Sequence, residues 1–92
     1  MDRQEVAPGT VLVREGDHDD HFYVVLSGVL AVSQRDRGAL SILRPGDYFG
    51  EVAATMSVPR TATVSAMTPA VVASCDRATF DELIRPLFAD DN

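Results

Sequence analysis

The chain has few residues of the kinds that support covalent chemistry or basic surfaces. It contains one cysteine, two histidines and no lysine, so all eight of its basic residues are arginines. The single Cys75 excludes an internal disulfide and fits a reducing compartment. No apolar run approaches the roughly 18 residues of a membrane span, and the opening M-D-R-Q-E does not resemble a signal peptide. We therefore expect no membrane insertion by this segment, and a cytoplasmic location or the cytosolic face of a larger membrane protein.

The charge balance disfavours nucleic-acid binding. The formal net charge is −6, whereas nonspecific nucleic-acid binding needs a basic face. An anionic ligand would also be repelled at long range, so any anion site must be local and preorganised. The 92 residues are enough for one domain, which at this size buries only about 60–65% of its unfolded surface. We expect a single domain of modest stability.

Short apolar segments broken by glycine and proline make up most of the chain. We predict turns at Ser27-Gly28, at residues 35–38 and at residues 45–47. Strands are predicted between them, with the last two forming a pair broken at Thr68-Pro69: residues 10–13, 22–26, 29–34, 39–43, 62–66 and 70–74. Many short strands at this spacing are typical of an antiparallel sandwich or roll.

The C-terminal segment changes to a helical period. Apolar side chains at i, i+3, i+4, i+7 and i+8 predict one helical face, formed by Phe80, Leu83, Ile84, Leu87 and Phe88. Asp76 is one candidate N-cap, and Thr79 with Glu82 would form a capping box. We favour Asp76, because the acidic residues that follow then lie early in the helix, where its dipole stabilises them. We expect Pro86 to weaken this helix and to end it near Arg85.

The most informative segment, residues 49–64, is F-G-E-V-A-A-T-M-S-V-P-R-T-A-T-V. Gly50 allows close backbone approach, and the free N–H groups of a following helical turn carry partial positive charge. Arg60 can add a bidentate fork to the same anion. Glu51 accepts hydrogen bonds only, which suits a hydroxyl or the arginine itself. The segment therefore predicts a site for a small anion that also carries a hydroxyl, and a cyclic nucleotide offers both.

This segment resembles the phosphate-binding cassette of cyclic nucleotide-binding domains, F-G-E-[LI]-A-L-[IL]-x-x-x-P-R-[AT]-A-[TS]-V, without a gap. It departs at Ala54 and Thr55, where the family usually has two large aliphatic residues. The resemblance runs from about Pro8 to Leu87 and implies a mainly β fold, an antiparallel double-stranded β-helix or jelly-roll-like β-roll. The roll would span about residues 8–75, with a short cassette helix and a C-terminal helix at about 77–88, all in a single domain, 1–92.

The resemblance also bears on the flanking segments. Family members usually continue into a further helix that covers the base as a lid, and a helical segment usually precedes the roll. We interpret the chain as a fragment of a longer protein that lacks this lid. We therefore expect a pocket open on one side, weak affinity on the order of micromolar or poorer, and an apolar face that invites self-association.

The function implied by the resemblance is that of a regulatory module that binds cAMP or cGMP and signals occupancy to an attached effector domain. Arg60 would hold the phosphate and Glu51 the ribose 2′-hydroxyl, while the backbone of Gly50 and Ala53 approaches the sugar-phosphate. The other residues assigned to ligand binding are Val52, Thr61, Ala62, Val32, Leu40 and Ser41. No cofactor beyond the ligand and no catalysis are expected.

Several of these positions have a structural interpretation that the sequence leaves open. Arg60 would otherwise be a surface arginine that meets water, and Glu51 a first-turn residue favoured by the helix dipole. Three strand residues suit a strand core as well as a ligand pocket: Val32, Leu40 and Ser41. Thr61 resembles the guanine-preferring kinase domains, but bacterial cAMP receptors also carry a hydroxyl here, so the preference leans only slightly to cAMP.

Two alternative functions remain. His18 and His21 lie in an acidic loop and suggest a metal site or a small cupin, but no distant ligand completes a tetrahedral or octahedral set. We interpret them as solvated loop charge and predict no metal. The other alternative is a degenerate module that keeps the roll as a protein-interaction scaffold. The departures at Ala54 and Thr55 and the missing lid favour it. No nucleophile–base arrangement is apparent around Cys75, which argues against an enzyme.

Overall fold

The structure, a computed structural model, describes residues 1–50 and 59–89. In these ranges the strands are β1 Asp2–Val6, β2 Val11–Val13, β3 Phe22–Ser27, β4 Leu30–Gln34, β5 Gly38–Leu43, β6 Tyr48–Phe49, β7 Thr63–Ala66 and β8 Ala70–Cys75. They form two four-stranded antiparallel sheets, in the orders β1-β8-β3-β6 and β2-β7-β4-β5. The predicted mainly β roll is confirmed, and β4 and β5 form the predicted hairpin.

The main core lies between the two sheets. Its least exposed members, Val25, Leu30 and Val72, come from β3, β4 and β8. Burying a side chain of this kind stabilises the fold by about 1.5–3 kcal/mol. A second, smaller cluster joins Phe22 to Phe80, with ring centroids 4.9 Å apart, and so attaches the C-terminal helix to β3.

Two features of the sheets differ from the sequence prediction. Residues 62–66 and 70–74 do not pair with each other, since β7 pairs with β2 and β4, whereas β8 pairs with β1 and β3. The chain crosses between the sheets after β7, where the Met67 N–H donates to the Val29 carbonyl at 2.9 Å. Strand β1 was not predicted at all, because it is a polar edge strand in which only Val6 is buried, so it lacks the period-two pattern.

The C-terminal helix begins as predicted. The Asp76 carboxylate accepts a hydrogen bond from the Thr79 backbone N–H at 2.8 Å, which confirms Asp76 as the N-cap. This bond from Thr79, stronger than the small opposing effect of burial, lowers the pKa of the Asp76 carboxyl. Three consecutive parts follow: α1 Arg77–Thr79, a π-helical turn Phe80–Ile84, and α2 Arg85–Ala89.

The π-helical turn overturns two details of the helix prediction. Pro86 does not end the helix, because the turn closes on the Arg85 N–H and Pro86 then lies in the first turn of α2, where a missing N–H costs little. The predicted single apolar face is also wrong, since Leu83 is 60% exposed and Leu87 is exposed too, while Phe80 is fully buried. A wider turn aligns Ile84, rather than Leu83, with Phe80. In residues 1–50 and 59–89, no helix is both long enough and apolar enough to cross a membrane.

Candidate functional site

Arg60 is the buried charged residue of the described chain. Its side chain is only 4% exposed, so the expectation that it would meet water is wrong. The Arg60 N–H donates to the Asp17 carbonyl at 2.9 Å, and its own carbonyl accepts from the Gly16 N–H at 2.8 Å. These two bonds attach the backbone of Arg60 to the loop between β2 and β3 and fix where its side chain starts.

The guanidinium of Arg60 has incomplete compensation for its charge. Its Nη2 donates to the His21 carbonyl at 2.7 Å and lies 3.6 Å from Asp19 Oδ2. The guanidinium carbon is 6.0 Å from the centre of the Tyr23 ring. The Nε is buried and has no hydrogen-bond partner among the described residues. An unpaired buried donor and a poorly neutralised charge are both costly. The corner formed by Arg60, Asp19, His21 and Tyr23 is therefore suited to an added anionic acceptor.

Gly50 brings the main chain against the same guanidinium. It follows β6 and has a φ of 94°, a conformation that residues with a side chain rarely adopt. A Cβ at this position would lie 2.5 Å from the His21 carbonyl oxygen and 2.8 Å from Arg60 Nη1. A side chain here would therefore displace the groups that hold Arg60. Steric crowding thus explains why this position is a glycine.

Asp19 supplies the negative charge of this corner. Partial burial by itself raises the pKa of its carboxyl, but hydrogen bonds from the backbone and ring of His21, together with the Arg60 charge, lower it overall. Asp19 Oδ1 accepts from the His21 N–H at 3.0 Å and lies 2.9 Å from His21 Nδ1. Burial, reinforced by the Asp19 charge, raises the pKa of Tyr23. Asp19 is therefore ionised at neutral pH, and Tyr23 is not.

The acidic loop also places three metal-ligating groups together. Ligand atoms of Asp19, Asp20 and His21 all lie within 4.8 Å of one another. A cation at this point would meet the Arg60 guanidinium, which is 3.6 Å from Asp19, and would compete for an oxygen already engaged by His21. We assign no metal to this group.

Half of the predicted cassette, residues 51–58, lies outside the described residues. The cassette helix and five positions singled out from the sequence lie outside the described residues: Glu51, Val52, Ala53, Ala54 and Thr55. Of the residues after Arg60, Thr61 is exposed and its carbonyl accepts from Gln34 Nε2 at 2.7 Å, while Ala62 is half-buried. The predicted roles of these residues toward a ligand stay predictions.

The three strand positions proposed for sugar and base behave differently from one another. Val32 packs against the main core, which accounts for it without a ligand. Leu40 and Ser41 of β5 are exposed, so the alternative that they belong to the strand core is wrong. Ser41 lies opposite Val32 in the β4–β5 ladder.

The sequence interpretation missed two residues of this corner. Asp19 and His21 were assigned to a solvated loop, yet they contact the Arg60 guanidinium from 41 and 39 positions away in the sequence. A contact between residues so far apart leaves no local pattern in the amino-acid sequence. The one available signal was the acidic residues directly before the buried β3.

Comparison with known proteins decides the family. The family model described as the cyclic nucleotide-binding domain matches residues 3–86. The chain belongs to this family. Among curated proteins it is similar to a cAMP-dependent protein kinase regulatory subunit of Yarrowia lipolytica, with 42% identity over 85 residues, covering 91% of this chain and 23% of that protein. The chain thus spans less than a quarter of that relative's length.

Solved structures share the fold closely. A structure described as cAMP-bound PfPKA-R (141–441) has a TM-score of 0.87 and 30% identity, covering 94% of this chain and 30% of that one. The regulatory subunit of a cAMP-independent protein kinase A from Trypanosoma brucei also has a TM-score of 0.87, with 27% identity, covering 94% of this chain and 32% of that one. The roll therefore belongs to cyclic nucleotide-binding domains, which decides against the cupin alternative.

Proposed function

We propose that this chain is a regulatory module that binds a cyclic nucleotide, with cAMP preferred over cGMP, and that it acts through an attached effector domain and not by catalysis. The observation that carries the proposal is the buried Arg60 guanidinium, whose Nε has no hydrogen-bond partner among the described residues. The residue stands at the arginine position of a family whose model matches residues 3–86.

The phosphodiester of a cyclic nucleotide supplies what this corner lacks. It carries one negative charge and unesterified oxygens that accept from a guanidinium in a fork geometry. Asp19 offsets the Arg60 charge only in part, because its nearest oxygen is 3.6 Å away and its side chain is 31% exposed. A net charge of −6 repels anions at long range, so a small anion needs this local positive site in order to bind.

The preference for cAMP is supported by the relatives. The Yarrowia lipolytica protein is a regulatory subunit of a cAMP-dependent kinase, and PfPKA-R is described as cAMP-bound. We assign the ribose 2′-hydroxyl to Glu51, which the cassette places nine residues before Arg60. The exposed Thr61 is the position at which a guanine amino group would find a hydroxyl, so this residue should narrow the preference for cAMP over cGMP.

One observation favours a second candidate, an interaction scaffold that binds no nucleotide. The Trypanosoma brucei neighbour matches the fold as closely as the cAMP-bound one, and it comes from a cAMP-independent kinase. The departures at Ala54 and Thr55 support the same alternative.

Calorimetric titration of the chain with cAMP, cGMP and adenosine, in parallel, separates the candidates. We expect cAMP to bind more tightly than cGMP, and adenosine to bind least because it has no phosphate for Arg60. If neither cyclic nucleotide binds, the scaffold function replaces the proposed one. If adenosine binds as tightly as cAMP, the phosphate role of Arg60 is wrong.

A further inference from the structure

His21 lies in an acidic environment at the edge of the Arg60 corner. Its Nδ1 is 2.9 Å from Asp19 Oδ1 and 4.0 Å from Asp20 Oδ1, and its imidazole is 47% exposed. Asp76, at the start of the C-terminal helix, lines the same hollow as His21. Two carboxylates therefore lie within 4.0 Å of the imidazole Nδ1, and a third lines the same hollow.

The same histidine holds Arg60 by two routes. Its carbonyl accepts directly from Arg60 Nη2 at 2.7 Å. Its ring acts through Asp19, because Asp19 Oδ1 faces the imidazole at 2.9 Å while Oδ2 lies 3.6 Å from Arg60 Nη2. One carboxylate is thus shared between a group that can change charge and the guanidinium proposed to bind phosphate.

We propose that His21 is a positioning residue that couples cyclic-nucleotide affinity to its own protonation. This inference rests on the proposed function. A protonated imidazole neutralises Asp19 and leaves the Arg60 charge available to the phosphate, whereas a neutral imidazole leaves Asp19 free to compete for Arg60. Binding should therefore tighten as the pH falls, and by reciprocity nucleotide binding should draw a proton onto His21.

Histidine is the side chain that ordinarily changes charge near neutral pH. Titratable or charged groups face it, or line the same hollow, from the loop and from β1, β3, β8 and the helix cap: Asp19, Asp20, Asp2, the Met1 amino group, Tyr23, Arg60, Cys75 and Asp76. Carboxylates are ionised throughout the range of pH 5 to 8, in which histidine and α-amino groups titrate. Burial, assisted by nearby carboxylates, raises the pKa of both Tyr23 and Cys75, which therefore stay neutral.

The test is a calorimetric titration with cAMP at about pH 6 and about pH 8.5 on three proteins: the parent chain, His21→Gln and His18→Gln. His18→Gln is the matched control, because it removes the other histidine of the same loop. The parent and His18→Gln should bind about threefold to tenfold more tightly at the lower pH, which corresponds to a coupling of up to one pKa unit. His21→Gln should show no such change. Repeating the titration near pH 7 in buffers of different ionisation enthalpy should show proton uptake that His21→Gln abolishes.

Each outcome is decisive. Binding by the parent that does not depend on pH, or a dependence that survives in His21→Gln, overturns the role of His21 and leaves the proposed function standing; survival would point to the amino terminus. No binding by the parent at either pH overturns both. Should His21→Gln fail to fold by circular dichroism, Asp19→Asn applies the same test, because it removes the charge that His21 and Arg60 share.

Discussion

The interior between the two sheets and the corner around Arg60 both exclude water, but burial is favourable in the first and costly in the second. Leu30 is fully buried among apolar side chains, where its burial is favourable by about 1.5–3 kcal/mol. Arg60 is nearly as buried, yet removing its charge from water costs several kcal/mol that Asp19 and a carbonyl offset only in part. The core stabilises the fold, whereas the corner is the place where the proposed anionic ligand would complete the charge balance.

We expect mutations in the two regions to change different quantities, the free energy of unfolding in one case and the ligand affinity in the other. A core truncation should lower the free energy of unfolding and leave the affinity of the surviving folded molecules unchanged. A change in the corner should act mainly on affinity. The substitutions below are ordered by the size of the expected effect.

Phe80→Ala should have the largest effect. Phe80 is fully buried and packs on Phe22 at 4.9 Å between ring centroids, so its loss removes apolar burial and leaves a cavity that costs about 3–5 kcal/mol. The apolar clusters of a 92-residue chain are small, and this change should leave much of the protein unfolded at room temperature. Urea denaturation followed by circular dichroism measures the effect.

Leu83→Ala is the matched control, because it truncates an apolar residue of the same helix that is 60% exposed. Its effect should stay within about 0.5 kcal/mol. A cost as large as that of Phe80→Ala would show that the helix turns its other face to the roll.

Arg60→Ala should remove most of the cyclic-nucleotide affinity. The phosphate would be left without its charged partner in a buried site, at a cost of about 2–5 kcal/mol of binding free energy, or about 30-fold to several thousandfold in Kd. Calorimetry with cAMP measures the loss.

Arg37→Ala provides the comparison for Arg60→Ala, since it removes an equal charge from the exposed tip of the β4–β5 hairpin. It should leave the affinity almost unchanged. Affinity of the Arg60 variant within threefold of the parent would show that the phosphate is held elsewhere.

The same division separates what the sequence could predict from what it could not. The roll was predictable because its strands, turns and N-cap are local patterns, as the hairpin at residues 35–38 and the Asp76 cap illustrate. Polar β1 was not, because it has no apolar alternation, and the π-helical turn at Phe80–Ile84 was not, because its apolar residues also fit an ordinary α-helical period. The cassette singled out Arg60 in the sequence, but not its burial. That burial involves contacts with His21 and Asp19, and contacts this distant in sequence become visible only in three dimensions.

Gly50→Ala tests the close approach that the corner requires. Gly50 and Gly46 have nearly identical φ angles, 94° and 95°, so alanine at either site carries the same left-handed backbone cost, about 1–2 kcal/mol. A Cβ at Gly46 meets nothing within 4 Å, whereas one at Gly50 lies 2.8 Å from Arg60 Nη1. Gly50→Ala should therefore destabilise the fold more than Gly46→Ala and should alone weaken cAMP binding. Equal effects of the two variants on stability and affinity would mean that the main chain does not crowd Arg60.

Asp19→Asn should have the smallest effect, and one that depends on pH. The hydrogen bonds from His21 and the charge of Arg60 outweigh burial and lower the pKa of Asp19 below its ordinary 3.8. Its contribution to stability is therefore fully present above about pH 4 and is lost as the pH falls through the lowered value. Because the carboxylate is partly solvated, the contribution should be less than about 1 kcal/mol. Thermal melts should show Asp19→Asn slightly less stable than the parent at pH near 7 and equal to it near pH 2, with Asp36→Asn at the exposed hairpin tip reporting the effect of net charge alone. A difference that grows on acidification would mean that Asp19 is not held by these contacts.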